Sequence, residues 1–112
     1  DFTMAKMLDF TKAKKPTLPI KFEDGSMVHV YIPSKAEYEE IAEAKEYFDA
    51  AIDNGDESKD KLYEITARLM SNNKTGRVIT GEQLMTYLDI GDLVVFFRAY
   101  TDFIAEAINE KN

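Results

Sequence analysis

The stretch DIGDLVVFFRAYTDFIAEAINE, Asp89 to Glu110, contains the longest apolar run of the chain, Leu93-Val94-Val95-Phe96-Phe97. At about 100° per residue, Leu93, Phe96, Phe97, Tyr100, Phe103, Ile104, Ala107 and Ile108 share an arc of roughly 140°, the width of a buried helix face. Arg98, Asp102 and Glu106 fall opposite. Asp89 is a suitable N-cap, and Asp92 brings a second negative charge into the first turn, where the helix dipole favours it. A helix over 90–110 is therefore expected. Val95 breaks its pattern, lying at about 200° on the same wheel among charged residues. Either the rest of the chain covers it or another protein does. With Ala99 one turn on and Val94 beside it, Val95 defines the candidate partner-binding residues.

Working back along the chain, Thr80-Gly81-Glu82-Gln83 is a capping box that opens a short helix over 81–88, with Leu84 and Leu88 facing in. Before it, Ser71 to Thr80 is a polar loop closing on Val78 and Ile79. A helix over 57–71 buries Leu62, Ile65 and Leu69, with Tyr63 and Met70 beside them, and Glu57 and Lys61 have the spacing of an exposed ion pair. Ser34-Lys35-Ala36-Glu37 is another capping box and starts a helix over 35–52. Its apolar side is Tyr38, Ile41, Ala44, Phe48, Ala51 and Ile52, and Glu39, Glu40, Glu43 and Glu46 lie outside. Asn54-Gly55 ends it, Gly55 taking the left-handed residue that follows a helix.

Between 18 and 32 the period changes to two, around Asp24-Gly25, the signature of a β-hairpin. A two-residue loop would send the aliphatics of the two strands to opposite faces. A three-residue loop, Glu23-Asp24-Gly25 with Gly25 left-handed in a bulge, pairs Phe22 with Ser26, Ile20 with Val28 and Leu18 with Val30, and gathers the aliphatics on one face. The three-residue loop is the expected one. Two strands alone are marginal in water, so this face must rest on helices. Residues 1–17 lack a sustained period and read as an extended or partly disordered arm, and 18–112 read as a single globular domain. The fold class is α+β, mainly helical, with an N-terminal two-stranded hairpin packed on three to four helices.

Composition agrees. At 112 residues, 45% apolar and 31% charged, the chain suits one soluble domain. It has no cysteine, which excludes a disulfide framework and suits a reducing cytoplasm. No apolar stretch approaches the roughly 20 residues that span a bilayer, so no membrane partner is expected. A net charge of −7 argues against nucleic acid, whose phosphates need clustered cations. The cluster Lys12, Lys14 and Lys15 reads as a solvated tail.

No chemistry emerges from the residues. The single histidine, His29, lies mid-strand with no nucleophile pattern to serve. Asp53 to Glu57 is rich in oxygen ligands but misses the alternate spacing of a calcium loop. Gly76 and Gly81 suggest a phosphate loop, but Glu82 stands where the lysine is needed. No catalytic residue, metal or cofactor is expected, and contact with a partner is what remains.

Four segments together, DFTKAKKPTLPIKFEDG (9–25), HVYIPSK (29–35), LMSNNKTGRVIT (69–80) and LDIGDLVVFFRAYTDFIAEAINEKN (88–112), give the chain a resemblance that runs from Leu8 to Asn112. It resembles the small tail assembly proteins of long-tailed bacteriophages and prophages of Firmicutes. The resemblance implies a non-enzymatic chaperone that holds the long, helical, hydrophobic tape measure protein until tail tube subunits polymerise around it. The tape measure protein is the implied partner, with the tail tube protein and further copies of the chain as additional ones, in the bacterial cytoplasm. A different class of reading is an adaptor or regulatory domain that binds a folded phage or host protein.

Overall fold

A computed structural model describes residues 7–11, 14–54 and 56–110. In chain order the elements are β1 (Thr17–Lys21), β2 (Met27–Tyr31), α1 (Lys35–Asn54), α2 (Asp56–Ser71), α3 (Gly81–Tyr87) and α4 (Ile90–Glu110). The class is the expected one, a two-stranded antiparallel hairpin followed by four helices. The side chains of Ala51, Ile52, Asp53, Asn54 and Asp56, the cap at Gly55, and Lys12 lie outside what is described.

The hairpin takes the three-residue loop. Leu18 pairs with Val30 and Ile20 with Val28, and the Phe22 N–H donates to the Ser26 carbonyl at 2.8 Å. Gly25 has φ +88°, the left-handed conformation that the bulge requires of the last loop residue. The Asp24 carboxylate accepts from the Ser26 N–H and hydroxyl at 2.9 and 2.6 Å, closing the turn. Because Phe22 and Ser26 form a hydrogen-bonded pair, alternation turns the backbone groups of Thr17, Pro19 and Lys21 outward. Pro19, which has no N–H, thus sits on the free edge of the sheet, where it costs no ladder bond.

The other edge of the sheet holds an element that its polar composition conceals. The Tyr31 N–H donates to Asn72 O and the Lys74 N–H donates to His29 O, both at 2.9 Å, and Val30 bridges Asn73. The loop between α2 and α3 therefore lies alongside β2 like a third strand. Buried Asn73 organises it. Its amide donates to Met70 O and Arg77 O at 2.8 Å each, and its oxygen accepts from the Arg77 N–H at 3.0 Å. Tyr31, which alternation places on the polar face with His29, is buried at 4% exposure, with this loop pairing alongside its backbone.

Helix starts follow their caps. Ser34 and Glu37 exchange backbone-to-side-chain bonds of 2.8 and 3.3 Å, and Thr80 and Gln83 form the second reciprocal box. Asp89 and Asp92 form a third, at 2.9 and 2.8 Å, with aspartate in the place of the usual glutamate. Lys61 pairs with Glu64 at 3.5 Å, one turn on, instead of with Glu57.

The helix at the centre of the packing is α2, not α4. It meets α1, α3, α4 and β2, and it buries Leu62, Tyr63, Ile65, Thr66, Ala67, Leu69 and Met70. Thr66 is tolerated inside because its hydroxyl bonds back to Leu62 O at 2.7 Å. On α4, which also meets α2, Leu93, Phe96, Phe97, Tyr100, Ile104 and Ala107 are buried, while Ile108 at the end of the arc is 52% exposed. On α1, Ala44 is buried and Ile41, Tyr47 and Phe48 are half-buried, but Tyr38 is exposed. Among the described residues, no helix is long and apolar enough to cross a membrane.

Candidate partner-binding surface

Packing on α2 leaves α4 with two flanks, and the three candidate residues divide between them. Val95 is 64% exposed, so the hairpin does not cover it. With Ala99 it stands beside a groove of about 260 Å³ between α4 and β1, walled by Leu18, Ile20, Phe22, Leu88 and Phe96. Val94 turns the other way, into a trough of about 970 Å³ between α4 and α1. Two residues adjacent in sequence are about 100° apart on a helix, enough to assign them to different grooves.

The trough is the larger and more apolar feature. Ile41, Ala42, Ala44 and Phe48 of α1 face Ile90, Val94 and Phe97 of α4 across it. Phe48 and Phe97 meet edge to face, ring centres 5.4 Å apart, where the two helices come together. Lys45, Asp49, Lys59 and Arg98 line its charged margin. Ile41 and Phe48, which helical periodicity places on the apolar side of α1, are thus half-exposed residues of this surface, while Phe97 is buried at its floor. Periodicity identifies an apolar face, but whether a second helix closes over that face depends on interhelix distance.

Elsewhere, side chains are already engaged. A polar cavity of about 500 Å³ at the start of α1 is lined by Glu37, Arg68 and Asn72, among others. The Glu37 carboxylate there accepts from Ser34 N–H and Asn72 Nδ2, and Arg68 is bonded to Glu40. His29 is half-buried opposite Pro19 and its carbonyl is taken by Lys74. The Tyr63 hydroxyl donates to Leu88 O at 2.6 Å, and burial raises its pKa above the usual phenol value.

Two features limit how another chain can bind. The free edge of β1 carries Pro19 and the charged Lys21, both of which oppose addition of a further strand. The open apolar area instead lies between helices, where backbone groups are bonded within the helices themselves. What the fold and surface define is a small, mostly helical α+β domain with an apolar trough suited to contact. Comparison with known proteins takes this no further: no family model, no curated protein and no solved structure matches the chain.

Proposed function

We propose that the protein is a tail assembly chaperone of a long-tailed phage or prophage, acting without catalysis in the bacterial cytoplasm, and that it holds an amphipathic segment of the tape measure protein against α4. One observation carries the reading: the core is complete on α2, yet the trough between α1 and α4 leaves Val94 and its apolar neighbours open. A chaperone of this type needs apolar contact area joined to high solubility. The net charge of −7 supplies the solubility by mutual repulsion. The resemblance described above gives the partner its identity.

The test is co-expression with fragments of the tape measure protein encoded beside it. The expected result is that the wild type keeps a fragment soluble and co-purifies with it, that Val94→Asp releases it, and that Val95→Asp reduces capture if the second flank also takes part. Each variant should retain wild-type circular dichroism and melting. Absence of tail genes around the coding sequence, or no capture of any fragment, would refute the reading.

A further inference from the structure

We infer that the α1–α4 trough selects a helix whose apolar stripe is bordered by carboxylates. The inference deepens the reading above and rests on it for the identity of the natural partner. Over the whole chain acidic residues outnumber basic ones, 21 to 14. Among the described residues that line the trough the balance reverses, with Lys45, Lys59 and Arg98 set against Asp49. These cations come from α1, α2 and α4 respectively, so they border the apolar floor from more than one side. None of them takes part in an ion pair among the described residues, where the pairs are Lys61 with Glu64 and Arg68 with Glu40. Cations around an apolar floor that pair with no described residue are complementary to an amphipathic segment flanked by Asp or Glu.

The occupant is a helix because of the trough walls. An extended peptide carries unpaired N–H and C=O groups and needs a sheet edge to satisfy them. The walls of the trough are helices, whose backbone bonds are internal, and the β1 edge is blocked by Pro19. A helix satisfies its own backbone and presents only side chains. Acidic side chains also lie on the outer face of α1, at Glu39, Glu43 and Glu46, so a second copy of the chain is the rival occupant that the test must separate.

The experiment uses the full chain and two fluorescein-labelled synthetic helical peptides with the same Leu/Ile stripe, one with Glu and one with Lys at the bordering positions, read by fluorescence anisotropy. The Glu peptide should bind about tenfold tighter at low salt, the range that a few screened surface pairs supply together. That preference should shrink toward equality near roughly 0.5 M salt. Lys59→Glu combined with Arg98→Glu should invert it, and Val94→Asp should weaken both peptides at least about tenfold, with melting checked for each variant. Equal binding, preference for the Lys peptide, no binding, or binding indifferent to Val94→Asp overturns the inference. So does a dimer in light scattering that Val94→Asp dissociates, which would place a second copy in the trough. A chain that prefers the Glu peptide but captures no tape measure fragment keeps this inference and loses the proposed function. One that captures a fragment through Val94 regardless of border charge does the reverse.

Discussion

The Tyr100 hydroxyl donates a 2.8 Å hydrogen bond to the backbone carbonyl of Tyr31, joining α4 to the end of β2 across 69 residues of sequence. Both residues are buried, and Tyr100 stacks on Phe96 with ring centres 5.2 Å apart. Removing the hydroxyl leaves the carbonyl without this donor in a buried site. Tyr100→Phe should therefore cost about 1–2 kcal/mol in urea unfolding, as a lower midpoint at unchanged slope.

Alkaline stability follows from the same group. Burial raises the Tyr100 pKa well above its ordinary value, with the Glu37 carboxylate adding to the shift. The folded state thus holds the phenol proton at a pH where the unfolded chain has lost it. Stability from this group is complete below the unfolded value near pH 10 and declines as pH rises toward the folded value, by about 1.4 kcal/mol per pH unit. The difference in stability between wild type and Tyr100→Phe should shrink between about pH 10 and 12, as equilibrium unfolding across that range would show.

Leu93 and Val94 are neighbours with opposite roles. Leu93 is completely buried against α2, whereas Val94 is half-exposed in the trough. Leu93→Ala should cost about 3 kcal/mol of stability by leaving a cavity, whereas Val94→Asp should change stability by less than about 1 kcal/mol and abolish partner capture. Thermal melts paired with the capture assay separate the two effects.

Asn73 holds the loop that edges β2. Asn73→Ala strands the Met70 and Arg77 carbonyls and the Arg77 N–H, at a cost of about 2–3 kcal/mol. Hydrogen exchange should show the Lys74 amide, bonded to His29 O, among the first to lose protection.

Gly25 is required by its conformation and not by space, since nothing lies within 4 Å of where a Cβ would stand. Gly25→Ala should cost about 1 kcal/mol from the left-handed backbone alone, and Asn, which tolerates that region, should recover part of it. Chemical denaturation of the two variants checks the order.

Most of the local chemistry was readable. Ser34 with Glu37 and Thr80 with Gln83 each start a helix where spacing places it, Asp89 caps α4, and Asp24-Gly25 with the aliphatic alternation sets the hairpin register. These signals involve residues a few positions apart, whose interactions form wherever the segment goes. The strand-like pairing of Asn72 to Lys74 was not readable, because the bonds run from a polar segment to β2, some forty residues earlier.

The sequence by itself determined six elements and the apolar face of each helix, because periodicity and caps are local. The run Leu93 to Phe97 is the most apolar stretch, but α2, with a polar Thr66 inside, is the helix surrounded by others, since centrality depends on neighbours and not on hydrophobicity. Only the tertiary structure decided that Val95 stays open beside β1, that Val94 faces a separate trough, and that this trough is bordered by cations in an acidic chain. Each of these depends on the distance at which α1 and β1 come to rest beside α4. That distance is set by how both pack on their own supports, which no helical wheel records.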